Sequence, residues 1–262
     1  MLRAFFSSAT GMRAQELLID NTANNLANVN TNGFKRSQLD FADLVYASYR
    51  PPGATVATGL NSPIGLQIGS GVRTVGNTKV FTPGMIQDTG NPTDVAIEGD
   101  GFFGIQMPNG ELRYSRDGAF HLDANGVLRT GDGFAVDGNI TIPDGVSMSN
   151  VTVASDGSVS YTQGETSTTV GTIGIYRFRN PAGLSGEGGN LYAATAASGA
   201  ALPATVGTNG FLGLRQAFLE RSNVEVVTEL VSLITAQRAY EINARAIRAG
   251  DEMLSNTSQI VR

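Results

Sequence analysis

Two stretches, one at each end of the chain, repeat their apolar residues at alternating intervals of three and four. Near the start, Leu2, Phe5, Ala9, Met12, Glu16, Ile19, Ala23 and Leu26 follow this spacing, and seven of the eight are apolar. Such a period gives a helix one seam for a neighbouring helix. It predicts a helix over residues 2–29, roughly 40 Å long at the standard rise per residue. The helix is expected to end in an Asn-rich stretch before Asn32 and Gly33, where glycine can take the left-handed closing conformation. Near the other end, Ser222, Asn223, Val224 and Glu225 spell an S-x-x-E capping box. After it Val226, Leu230, Leu233, Gln237, Tyr240, Ala244, Ile247, Asp251 and Leu254 repeat the spacing, with seven of nine apolar. Glu16, Gln237 and Asp251 interrupt the seams, so an isolated helix pair is marginal. The ends are therefore expected to be mobile in a free subunit and ordered on assembly.

Between the helices the period changes. Residues 100 to 157 hold eight Asn-Gly or Asp-Gly pairs, at Asp100, Asn109, Asp117, Asn125, Asp132, Asp137, Asp144 and Asp156. These dipeptides supply the positive backbone angles of tight hairpins. Alternating apolar residues flank several of them, as Val151, Val153, Val159 and Tyr161 do around Asp156, which predicts an antiparallel sheet. Residues 47–75 show neither period and carry Pro51, Pro52 and Pro63 among Gly, Ser and Thr, so they read as an extended connector. The fold class is α+β: paired coiled-coil-like terminal helices (1–33 and 222–262), extended connecting segments (34–75 and 180–221) and a β-rich middle domain (76–179).

Charge and composition add exclusions. Residues 86–170 hold twelve Asp or Glu against three Arg, which argues against a nucleic-acid surface there. With no Cys, disulfides, thiol nucleophiles and cysteine metal sites are excluded. No apolar run reaches the roughly 18 residues that span a bilayer, so no membrane insertion is expected. The apolar stretch before Arg13 is too short for a secretory signal core. The motif GDGFFG, with Gly99, Gly101 and Gly104, satisfies a dinucleotide pattern, but the turn at Pro108, Asn109 and Gly110 leaves no room for the required helix. His121 is the single His and has no visible acid-base partner. Asp123 and Asn125 before Gly126 lack the remaining ligands of a calcium loop. No catalytic, cofactor or metal residue emerges, and the chain reads as non-enzymatic. Six Asn, at 21, 24, 25, 28, 30 and 32, weaken a lone helix and favour one whose amides find neighbours in an assembly.

Three segments resemble known sequences. NNLANVNTNGFKR (24–36) resembles the N-terminal signature shared by flagellar rod and hook proteins. DVAIEGDGFF (94–103) with YSRDGAFHLDANGVL (114–128) resembles the β-domain motif of that axial family, and ELVSLITAQRAYEIN (229–243) its C-terminal helix. The middle is shorter than in hook members. The connector motifs YRPPG and GLQIGSGVR look closest to distal rod members of the family, with the proximal rod branch as the alternative. The resemblance implies unfolded export by the flagellar type III apparatus and a self-assembled helical tube in the periplasmic basal body. Its implied partners are further copies of itself, proximal rod proteins, hook protein and basal-body ring proteins. The residues expected at the polymerisation interface are Leu2, Phe5, Met12, Ile19, Asn25, Leu26 and Asn28 at one end, and Val226, Leu230, Leu233, Tyr240, Ile247 and Leu254 at the other.

Overall fold

Both terminal helices form where the spacing places them: α1 spans Leu2–Ala27 and α2 spans Val226–Ile260. The computed structural model describes residues 2–57, 60–164, 166–206 and 211–260. The chain divides into two compact units, one built from Met1–Leu26, Ser37–Thr78 and Val226–Arg262, the other from Ala27–Arg36 and Lys79–Glu225.

In the first unit α1 and α2 meet at three places that match the start of one helix to the end of the other. A β-carbon on Gly250 would lie 2.8 Å from the Phe5 ring, and one on Gly11 3.0 Å from the Asn243 amide nitrogen. Further along, Asn25 Nδ2 donates to Glu229 Oε2 at 3.3 Å. The row buried on α2 therefore runs Glu229, Ala236 and Gly250, with Asn243 half-buried. On α1 it runs through Ala14, Thr22 and Asn25. Each row lies one residue before much of the heptad seam that the apolar spacing suggests. Small side chains explain the offset, because they let two helix backbones come close, whereas the larger Val226, Leu230 and Tyr240 are turned to solvent.

The same unit holds a two-stranded ribbon. Strand β1 (Ser37–Asp43) pairs with β6 (Val72–Lys79), β2 (Tyr46–Arg50) with β5 (Leu66–Gly69), and β3 (Thr55–Ala57) with β4 (Leu60–Asn61). Tyr46 faces Gly69 and Ala47 faces Ile68, antiparallel. The segment read as a connector is thus a nested ribbon. Its pairing was hidden because strand periodicity records a face buried by the same chain, and here Val45, Tyr46, Tyr49, Ile64, Leu66 and Ile68 are all exposed. Main-chain bonds such as Leu44 N–H to Gly71 O at 2.8 Å and Gly53 N–H to Ser62 O at 2.9 Å hold it instead.

The second unit is the β body. Its strands are β7 (Ile86–Asp88), β8 (Val95–Gly99), β9 (Phe102–Gln106), β10 (Leu112–Ser115), β11 (Phe120–Leu122), β12 (Leu128–Thr130), β13 (Ala135–Val136), β14 (Val151–Val153), β15 (Ser158–Gln163), β16 (Thr166–Thr172), β17 (Ile175–Arg177), β18 (Ser185–Gly188), β19 (Leu191–Ala193), β20 (Leu202–Pro203), β21 (Phe211–Gln216) and β22 (Phe218–Glu220). The main sheet has the order β11-β12-β13-β9-β10-β19-β18, with β17 joining β9 and β20. Beside it lie the sheet β14-β15-β16 and the pairs β21-β8 and β22-β7. Turns at Asn109, Asn125, Asp132 and Asp156 close hairpins as the dipeptides predict. Asp100 does not, because β8 pairs with β21 rather than with β9.

Residues 180–221, expected as an extended return path, are part of this body. They carry β18 to β22, and Leu184, Leu191, Tyr192, Leu214 and Leu219 are buried. Their high Gly and Ala content masked short strands whose partners lie far away in sequence. The aliphatic core gathers Val95, Ile97, Phe103, Ile105, Phe120 and Ile173, and an aromatic cluster of Phe102, Tyr114, Phe178 and Tyr192 lies beside Phe81.

Candidate functional site

The strongest concentration of polar chemistry is an ion cluster inside the β body. Gly33 begins it. Its φ of +66° suits glycine, and a β-carbon there would come within 2.6 Å of the backbone at Arg116 and Asp117. Gly33 N–H donates to Glu220 O at 2.8 Å, which turns the following residues inward. Lys35 is 0% exposed, Arg116 and Glu220 2% each.

Lys35 Nζ donates to Glu220 Oε1 at 2.5 Å and to Thr82 O at 2.8 Å. Glu220 Oε1 also accepts the Gly84 N–H at 2.7 Å. The other carboxylate oxygen accepts from Arg116 Nη1 at 3.2 Å, and Arg116 Nη2 reaches Gly99 O at 2.9 Å. The Arg116 guanidinium stands 5.4 Å over the Phe102 ring. Burial pushes the Lys35 amine down to about 8, with Glu220 opposing and Arg116 reinforcing the shift. The Glu220 carboxylate thus serves two buried cations, Lys35 and Arg116. Charge-assisted bonds of this kind fix geometry more surely than they add net stability.

A second polar site lies within the helical unit. Asn25 is 1% exposed. It donates to Ser37 O at 2.9 Å and accepts the Ser37 N–H at 2.8 Å while also reaching Glu229. Asn21 donates to the same Ser37 carbonyl at 2.8 Å. These amides find neighbours inside their own chain. In the β body Asn223 plays a similar part, accepting the Arg36 N–H at 2.8 Å and donating to Val80 O at 2.8 Å. That tie holds residues 222–225 extended, so α2 starts at Val226 and not directly after Ser222 as the capping box suggests.

Of the residues placed on an interface by the sequence, Phe5, Met12, Ile19, Leu26, Asn28, Leu233 and Ile247 are half-buried and Asn25 is buried. Val226, Leu230, Tyr240 and Leu254 are exposed, and the side chain of Leu2 lies outside the described residues. Sequence reasoning missed Lys35, Arg116 and Glu220. Lys35 follows Phe34 and Glu220 follows Leu219, but Arg116 stands between Ser115 and Asp117, so no common local pattern marks the three.

The arrangement can hold segments together and present surface. Exposed Val227, Val231, Ile234 and Ile242 extend along α2 beyond the residues already named. An open groove of about 460 Å³ runs along α1, lined by Leu17, Asn21, Ser37, Leu39 and Val75 among others. Among the described residues no group of three or more His, Asp or Glu is placed to hold a metal ion. Among the described residues no helix is long and apolar enough to cross a membrane.

Comparison with known families and proteins gives matches across the chain. A family model described as flagella basal body rod protein matches residues 7–35. One described as flagellar hook protein FlgE/F/G D1 domain matches residues 96–161, and the flagellar basal body rod FlgEFG protein C-terminal model matches residues 215–260. The flagellar basal-body rod protein FlgG of Borreliella burgdorferi is 42% identical over 100% of both chains. That of Buchnera aphidicola subsp. Acyrthosiphon pisum is 43% identical over 99% of this chain and 100% of its own. The Bacillus subtilis protein of the same name is 38% identical over 100% of both.

Proposed function

The chain belongs to the flagellar basal-body rod protein family, and we propose that it is a structural, non-enzymatic subunit of the distal rod that polymerises through its helical unit. Further copies of itself are its main partners. Proximal rod proteins, hook protein and basal-body ring proteins flank the assembled tube, and the subunit reaches it by flagellar type III export.

The observation that carries this reading is the surface of α2. Between residues 227 and 242 this helix turns Val227, Leu230, Val231, Ile234 and Ile242 to solvent, with Val227 68% exposed. An apolar stripe of that length is characteristic of a binding face. In the assembled tube the helices pair with those of neighbouring copies in coiled-coil fashion, using the heptad seam on the outer side of the small-residue row. The ribbon of residues 37–79, with its exposed apolar side chains, packs against neighbouring subunits and restrains sliding between them.

Sedimentation of the full-length chain tests the proposal. The wild type is expected to form polymer above a critical concentration. The Leu230→Asp chain, altered at an exposed position, should stay monomeric with an unchanged circular dichroism spectrum. Polymer formed equally well by both overturns the assignment of this face.

A further inference from the structure

The buried or half-buried row of α2 returns at every seventh residue, through Glu229, Ala236, Asn243 and Gly250. As α1 advances from Phe5 to Gly11 to Asn25, its contacts on α2 recede from Gly250 to Asn243 to Glu229, so the two helices run antiparallel in one alignment. Size alone does not select that alignment. A slide by seven residues lays the row over itself and brings Gly11 opposite Ala236 or Gly250, each smaller than the Asn243 that stands there. Where a seam repeats in this way, a polar residue buried within it is what separates one register from the next.

Asn25 and Glu229 are such residues, at 1% and 6% exposure. Asn25 Nδ2 donates to Glu229 Oε2 at 3.3 Å, across the helix pair. The same side chain is anchored on β1, where it accepts the Ser37 N–H at 2.8 Å and donates to Ser37 O at 2.9 Å, as a neighbouring strand would. Asn21, one turn earlier, donates to that carbonyl as well. A slide of α2 in one direction puts Ala236 opposite Asn25 and carries Glu229 past Ala27, where α1 ends. In the other direction Glu229 comes opposite Leu18, and Asn25 is left beyond Val226, where α2 begins. Either slide breaks the pair, and a polar group that stays buried without its partner costs more than the bond itself contributes.

We propose that Asn25 and Glu229 are positioning residues that select the register of the helix pair, and that Asn25, through Ser37, ties the ribbon to the same register. The outward face of α2 and the ribbon are thereby presented in one fixed relation. The use of that relation in assembly rests on the self-assembly proposed above.

The chain has no cysteine, so introduced pairs report the register in the full-length protein. Gly11→Cys with Asn243→Cys samples the observed alignment, and Gly11→Cys with Ala236→Cys or with Gly250→Cys samples the two slid ones. Disulfide closure in dilute solution is followed by the masses of the linked peptides. With Asn25 and Glu229 intact, only the pair at 11 and 243 is expected to close quickly. Glu229→Leu removes the acceptor and leaves both Asn25 bonds to Ser37 in place. The slid pairs should then close about tenfold faster or more, the scale of one lost hydrogen bond to a charged group. Glu229→Gln keeps an acceptor facing Asn25 and should restore the single alignment, which a role in stability alone does not require. Glu229→Ala, which places the best helix former in the row, decides the matter if the leucine variant does not fold. Slid pairs that close no faster in these variants, or that already close as quickly with Asn25 and Glu229 intact, overturn the proposal.

Sedimentation separates the register from the self-assembly reading. Glu229→Leu should raise the critical concentration, and Glu229→Gln should leave it unchanged. Polymer formed equally well by a Glu229→Leu chain whose register has opened overturns the role in assembly. A chain that keeps the single register but never polymerises leaves the register selection standing and removes the self-assembly reading.

Discussion

The β body buries many large apolar side chains, and the helical unit buries few. The body closes over large apolar side chains, with Phe103, Ile105 and Phe120 at 0% exposure. The helical unit buries small and polar ones, Ala14, Thr22, Asn25, Glu229 and Ala236, and leaves Val231, Ile234 and Ile242 outside. Buried apolar area is the main stabilising term in a fold. The body therefore has its driving force within one chain, whereas much of the helical unit's apolar surface still faces water. In the assembly proposed above, the helical unit is the part whose exposed apolar surface neighbouring copies cover.

That contrast can be broken most severely in the body. Phe103→Ala empties a fully buried ring position and should cost about 3–5 kcal/mol in denaturant unfolding. Next, Glu220→Gln removes the carboxylate shared by Lys35 and Arg116. Breaking a buried charge pair on one side costs on the order of 3 kcal/mol, and the loss should appear in the same unfolding transition.

The pH dependence follows from the Lys35 amine, lowered to about 8 from its ordinary 10.5. Between those two values the unfolded chain holds a proton that the folded chain has released, so this group makes the fold more stable as pH rises through the window. Its contribution is lost as pH falls through about 8. Lys35→Met should flatten that rise when stability is measured across the window, and an unchanged slope would remove Lys35 as its source.

The smallest effect on the monomer is expected in the helical unit. Ile234→Ala, at a position 54% exposed, should change monomer stability by no more than about 0.5 kcal/mol. Deleting Pro51 to Pro63 should likewise leave the monomer's circular dichroism nearly unchanged. It should give filaments that bend more in electron micrographs. Filaments of unaltered stiffness would sink that role for the ribbon.

The elements most legible in the sequence were those whose signal is local. Both helices announce themselves by period, and the hairpins at Asn109, Asn125, Asp132 and Asp156 by a dipeptide that supplies its own backbone angle. What was not legible depends on neighbours. Apolar spacing suggested Leu230 and Tyr240 for the helix seam, but close approach is set by the smallest side chains, and Ala236 and Gly250 carry little hydrophobic signal. The outer part of the ribbon, residues 45–68, lacks a recognisable alternation because its apolar side chains, such as Tyr46, Tyr49 and Leu66, lie exposed. Lys35, Arg116 and Glu220 share no local pattern, so their meeting is invisible in a single sequence; Gly33, read there only as a helix-closing residue, lies where the chain passes close to the backbone at Arg116.

The partners in each unit are also far apart along the chain. Asn25 and Glu229 are separated by 204 residues, and Lys35 and Glu220 by 185. Contacts this distant must close large loops before they return any stabilisation, which slows their formation. A chain that emerges from its N-terminus onward therefore brings out α1 first and its partner helix last. The body can close once Glu220 has arrived, and α1 must wait longer, unpaired, for the segment that follows.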